Sequence, residues 1–226
     1  FEPIWNPEEQ PDQWQALADF IEEKNPANIG INTSSTFALA DGLTHAEHTG
    51  FISALTSSQR SKVISAENLA VSWLETRTKE EMEVYPAIVR IAHNIIAEGF
   101  SSTVITPGVT TTDDVRWWYR DRIRALRITT WFHPSVGIQR ASSEVRKGVI
   151  LPGDLLHVDF GITYLRLNTD TQQHAYVLRT GEDKAPFGLI TGLKTSNRLQ
   201  DILTSKFKIG RTGNEILRAA RLHAID

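Results

Sequence analysis

Apolar positions along the chain follow two periods, and the change between them divides it. In TKEEMEVYPAIVRIAHNIIAEG, which starts at Thr78, Met82, Tyr85, Ile88, Val89, Ala92, Ile95 and Ile96 recur at helical spacing, which predicts one long amphipathic helix. Thr78 and Glu81 suit a capping box and Gly99 a C-terminal stop. Pro86 predicts a kink or a late start. A second helix is expected from Thr111-Thr112-Asp113 to about Leu126, and two more over 189–204 and 212–224. Strands are expected over 128–132, 155–164 and 169–178. In the second of these, Leu156, Val158, Phe160 and Ile162 alternate with Leu155, His157, Asp159 and Gly161.

Ahead of this region the elements are shorter. Trp14, Leu17, Ala18 and Ile21 predict a helix over 13–24, stopped by Asn25-Pro26. Short strands are expected at 29–31 and 62–65, with a helix beginning near Thr44 between them. The change of character places a boundary near residue 76, giving an α/β segment over 1–76 and an α+β segment over 77–226.

Composition narrows the chemistry. The 226 residues are 40% hydrophobic and 23% charged, as in ordinary globular proteins. The formal net charge of −3 offers no global basic field for nucleic acid or an anionic membrane. No apolar run approaches the ~20 residues that span a bilayer. Cysteine is absent, which excludes disulfides, thiolate zinc sites and cysteine nucleophiles. That absence suits cytosol and periplasm alike and leaves the compartment open. A metal would have to be held by carboxylates and histidines. The chain starts at Phe1 without a signal-like stretch and ends at Asp226 in helical character, so both ends read as cut.

The most informative stretch is HVDFGITYLRLNTD, 157–170, with two aspartates eleven positions apart. A hairpin centred between Tyr164 and Leu165 would set Asp159 and Asp170 opposite one another. Opposed like charges repel across strands, so a shared proton, nearby arginines or a metal ion must offset them. The plainer alternative is that one of them is a solvated turn residue and the two never meet.

LPGDLLHVDFGITYLRLNTDTQQHAYVL resembles the first metal-binding hairpin of the creatinase, prolidase and methionine aminopeptidase superfamily, whose fold is called pita-bread. There a GD…D-x-G stretch carries one metal aspartate, and a second follows about eleven residues later after Ser or Thr. Asp159 and Asp170 match those positions. ADGLTH (40–45), SAENLAVSWLETRTKEEMEVY (65–85) and WFHPSVGIQR (131–140) extend the likeness, which is nearest the Xaa-Pro aminopeptidase and prolidase branch. The resemblance implies the N-terminal half of a pita-bread catalytic domain, preceded by part of a smaller α/β domain. It also implies two divalent ions, with Asp159 chelating one and Asp170 bridging both. Manganese suits such carboxylate-rich ligation best, with zinc, cobalt and iron as alternatives.

The implied activity is hydrolysis of a peptide bond near an N-terminus, such as one before proline, by a metal-activated water. The implied partner is a peptide, with no nucleic acid or membrane span, and a homodimer is left open. His133 is the counterpart of the family's substrate-side histidine; by itself it reads as a loop residue before proline. His157 shares the Asp159 face, either as a core residue or as a hydrogen-bond partner of a ligand carboxylate. His174 reads as a half-buried structural histidine or an outer contact of the metal site.

The family's histidine and two glutamate ligands have no matching motif after Asp170, where only His174, His223, Glu182 and Glu215 occur. Glu182 reads as a turn or helix N-terminal carboxylate and Glu215 as a first-turn complement to a helix dipole. Two other readings therefore stand beside the peptidase: a binding protein that keeps the fold without a complete site, and a creatinase-like C–N hydrolase. Asp159-Phe160-Gly161 spells a kinase triplet, but no glycine-rich loop precedes it. Arg116, Trp117, Trp118 and Arg120 mimic a nucleic-acid patch, yet Asp113, Asp114 and Asp121 offset it, and packing with a solvated face is the simpler reading.

Overall fold

A computed structural model describes residues 3–141 and 143–225. Phe1, Glu2, Ser142 and Asp226 lie outside them, and with these the two chain ends. The chain divides into two compact units, Phe1–Lys79 and Glu80–Asp226.

In the first unit, helix α1 (Gln13–Lys24) opens on Asp12, whose carboxylate accepts from the Trp14 and Gln15 amides, and closes on Asn25 at φ 42°. Strands β1 (Ile29–Ile31) and β2 (Val63–Ser65) pair in parallel, Ile29 against Val63. Between them lie a 3-10 turn (Ala38–Ala40), α2 (His45–Ala54) and the single turn α3 (Ser57–Arg60). Thr44 and Glu47 form the reciprocal cap of α2. The core gathers Ala18, Ile21, Ile29, Phe51 and Leu55. A further helix, α4 (Glu67–Glu75), was not foreseen from the sequence; it buries no residue.

The second unit begins with α5 (Lys79–Gly99), one residue after Thr78. The helix runs through Pro86, so the start is not delayed. Its inner face, Ile88, Ala92, Ile95 and Ile96, is buried. Gly99 ends it where any side chain would collide with the Tyr119 ring, 2.4 Å from an added Cβ. Tyr119 belongs to α6 (Thr112–Ala125), capped reciprocally by Thr111 and Asp114. Fully buried, it donates to the Ile96 carbonyl (3.1 Å) and meets the Phe160 ring at 5.1 Å. Burial raises its phenol pKa well above the ordinary value. On the outer side of α6, Arg120 lies over the exposed Trp117 ring at 4.7 Å, in keeping with a solvated face.

Three antiparallel strands follow, in the order β3 (Ser135–Gln139), β4 (Leu155–Phe160) and β7 (Thr171–Tyr176), while β5 (Thr163–Tyr164) and β6 (Leu167–Asn168) form a small hairpin between β4 and β7. Leu156, Val158 and Phe160 are almost wholly buried against α5 and α6, as their alternation predicts. Burying each such side chain contributes about 1.5–3 kcal/mol. The strand expected over 128–132 does not form; β3 starts three residues later, after Pro134. Thr129 contributes only an isolated bridge to Thr163, and the Thr130 hydroxyl donates to the Gly161 carbonyl at 2.7 Å. Helices α7 (Phe187–Thr204) and α8 (Gly213–Ile225) complete the unit.

The start of β4 is fixed by a buried ion pair. Asp154 is almost wholly buried, and Arg140 grips both of its oxygens, Nε to Oδ1 at 2.7 Å and Nη2 to Oδ2 at 2.8 Å. The Leu151 amide donates to Oδ2 at 2.8 Å. Burial alone would raise the carboxyl pKa; the Arg140 and Leu151 hydrogen bonds and the Arg140 charge outweigh it, and the net shift is downward. Gly153, at φ 94°, lets the chain turn beneath Arg179.

Candidate metal centre

Strand alternation gives the sheet two faces. One carries the core residues; the other presents Ser135, Gly137 and Gln139 from β3, Leu155, His157 and Asp159 from β4, and Gln172, His174 and Tyr176 from β7. Asp159, His157 and His174 thus share one face.

The register differs from expectation. Asp159 pairs with Gln172, and Phe160 with Thr171, which sets Asp170 opposite Gly161 rather than Asp159. The two aspartates are diagonal neighbours. The cause is the turn: Thr163 pairs with Asn168 and Tyr164 with Leu167, so the hairpin pivots on Leu165-Arg166. Both residues have positive φ (53° and 64°), as a type I′ turn requires, without the Asn-Gly that usually announces one.

Asp159 is half-buried, and its Oδ1 is shielded from solvent with no hydrogen-bond partner. A buried carboxylate oxygen left in that state costs free energy unless a cation or donor meets it. Asp170 is exposed. Its place is set by its neighbour Thr169, which is fully buried. The Thr169 amide donates to the Ile162 carbonyl (2.9 Å), its hydroxyl accepts from the Ile162 amide (3.0 Å), and its carbonyl accepts from the Trp131 indole (2.9 Å). Gly161 permits this closeness, since an added Cβ would stand 2.2 Å from the Thr169 carbonyl oxygen. Sequence reasoning missed Trp131, Thr169 and the Arg140–Asp154 pair; only the Thr-Asp and Gly-Asp dipeptides hinted at the last two.

The histidines fall at different distances from this pair. His133 is exposed in the loop before β3, two residues ahead of Ser135, the partner of Asp159. His157 is half-buried, and its Nε2 lies 2.9 Å from Gln172 Oε1. His174, expected to be half-buried, is exposed; its ring lies 4.9 Å from that of His157. Partial burial first, and the nearby His157 second, lower its pKa. Glu182 accepts from the Arg179 amide as a turn carboxylate, and Glu215 caps α8 reciprocally with Thr212.

Two carboxylates suit a hard divalent ion in donor chemistry, and the unpartnered Asp159 oxygen has the character of a ligand. Among the described residues, however, no group of three or more His, Cys, Asp or Glu side chains is gathered to hold a metal.

The X-Pro aminopeptidase of Thermotoga maritima MSB8 superposes with a TM-score of 0.63 over 95% of this chain, at 16% identity. The prolidase of Pyrococcus furiosus gives 0.59 over 92% at 19% identity, and the Xaa-Pro dipeptidase of Bacillus anthracis 0.51 over 94% at 18%. The fold is that of the pita-bread peptidases. At these identities the likeness is one of fold, and the chain spans 57%, 57% and 56% of those three structures respectively. No family model matches the sequence, and no relative is found among curated proteins. None of the helices among the described residues is long and apolar enough to cross a membrane.

Proposed function

We propose that this protein is a metal-dependent peptidase acting near the N-terminus of peptides, on bonds of the Xaa-Pro type, and that Asp159 and Asp170 are its first two metal ligands. The observation that carries this reading is the Asp159 Oδ1 atom, buried and without a hydrogen-bond partner on the sheet face it shares with Asp170's end of β7. A carboxylate so placed is stabilised by a divalent cation, for which manganese is the best match to oxygen donors.

Held by Asp159 and Asp170, such ions would supply Lewis acidity that acidifies a water and polarises the scissile carbonyl. The chain's own part is to hold ligands at fixed positions. The β4 ladder holds Asp159, and the Thr169 and Trp131 hydrogen bonds hold Asp170. His133, at the mouth of β3, would donate a hydrogen bond to the substrate or to its tetrahedral intermediate. In this reading the remaining metal donors lie outside the described residues.

The test is Mn2+ titration of the wild-type chain and of Asp159→Asn and Asp170→Asn, followed by Xaa-Pro hydrolysis by the whole protein. Each substitution is expected to weaken Mn2+ binding by roughly tenfold or more and to abolish hydrolysis. Binding and activity that survive Asp170→Asn would overturn the assignment. A second reading, a binding protein that keeps the fold without hydrolysis, draws on the absence of a three-ligand group among the described residues. It predicts that the whole protein leaves Xaa-Pro peptides intact at saturating Mn2+.

A further inference from the structure

One rung of the sheet sets two imidazoles face to face. His157 on β4 pairs directly with His174 on β7, and their ring centroids stand 4.9 Å apart at an interplanar angle of 45°. A tetrahedral ion with bonds of about 2.0–2.1 Å to each ring needs ring nitrogens about 3.4 Å apart. To reach that distance from their present separation the rings must turn about their side-chain torsions. His174 is exposed and His157 half-buried, so there is room for the adjustment.

The His157 ring is also held on one side by a hydrogen bond. Its Nε2 lies 2.9 Å from Gln172 Oε1. With the amide oxygen as acceptor, this contact selects the tautomer in which Nε2 donates and Nδ1 keeps its lone pair. Ligating histidines are held in the same way, with one ring N–H on an oxygen acceptor and the other nitrogen turned to the ion.

At about 3.3 Å per strand residue this rung lies roughly 7 Å along β4 from Asp159 and roughly 13 Å from the level of Asp170. Its donors differ in kind as well, since imidazole favours zinc, nickel and copper while carboxylates favour manganese and magnesium.

We propose that His157 and His174 form a cross-strand, two-imidazole site for a borderline divalent ion such as Zn2+, separate from the aspartates, with solvent completing the coordination. Among the described residues no third His, Cys, Asp or Glu joins them. The bound ion is therefore exchangeable and links β4 to β7 without being buried.

Zn2+ titrated into the chain, with histidine ring resonances followed by NMR, tests this directly. His157 and His174 are expected to shift first and together. His174→Gln and, as a second variant, His157→Gln are expected to weaken Zn2+ binding by roughly tenfold or more, with near-UV circular dichroism unchanged. Asp170→Asn is expected to leave Zn2+ affinity, read at the His157 and His174 ring resonances, within about threefold, since it removes no imidazole donor. Zn2+ that shifts His45 and His48 on α2 first, or an affinity unchanged in both histidine variants, overturns the site. Mn2+ binding in the aspartate variants bears only on the peptidase reading, so the two proposals fail independently.

Discussion

Replacing Asp154 by Asn removes the charge from the pair that fixes the start of β4. The side chain is 1% exposed, whereas Arg140 keeps 28% of its exposure. Breaking a buried ion pair on one side costs about 3–5 kcal/mol. Because Arg140 can turn partly to solvent, the low end applies, about 3 kcal/mol. In urea, with a slope of about 1–3 kcal/mol per molar, the midpoint should fall by about 1–3 M. Hydrogen exchange of peptides covering β4 and β7, read along a urea series, isolates this unit from the first. The pH dependence gives an independent check. The folded pKa of Asp154 is lowered, so its contribution is fully present above its unfolded value of about 3.9. It is lost as pH falls through the lower folded value. The gap between wild type and Asp154→Asn should therefore hold at neutral pH and close only below about pH 4. A double-mutant cycle with Arg140→Gln showing a coupling below about 0.5 kcal/mol would refute the reasoning.

Two further outcomes concern the hairpin. Gly161→Ala forces a Cβ against the Thr169 carbonyl, a backbone atom that cannot swing aside. It should cost about 1–3 kcal/mol and break the Trp131–Thr169 hydrogen bond, read as a lower Tm with altered tryptophan fluorescence; an unchanged Tm would contradict the close approach. Leu165→Asn with Arg166→Gly should relieve two left-handed residues that each cost roughly 1–2 kcal/mol. Part of that gain is offset by the freer unfolded chain, and a rise in Tm of several degrees is expected, whereas a fall would refute the type I′ turn.

Some elements were readable from local signals and α4 was not. The ranges 13–24 and 29–31 match α1 and β1, the helix ending where Asn25-Pro26 stops it. The faces of β4 were readable for the same reason, since strict alternation has one burial solution. The register was not. A turn at Leu165-Arg166 is specified by strand pairing on either side, and nothing in a Leu-Arg dipeptide marks positive φ. The stretch 128–132 misled because Ile, Thr, Trp and Phe favour strands, while in the fold Thr130 and Trp131 spend their donors on Gly161 and Thr169. Two candidate ligands on one sheet face were legible; the bonds that hold Asp170 in place join residues 38 and seven positions apart, Trp131 and Ile162 to Thr169.

Thr169 carries a consequence for how this protein would look to a mutational screen. All three of its bonded groups are committed to the scaffold, and the residue beside it is the candidate ligand. A screen scored by activity would rank Thr169 and Trp131 with Asp170, although neither side chain is a candidate ligand. A screen scored by abundance should separate them, penalising Thr169 substitutions and sparing those at the exposed Asp170. Comparing the two maps would mark which positions carry the chemistry and which only deliver it.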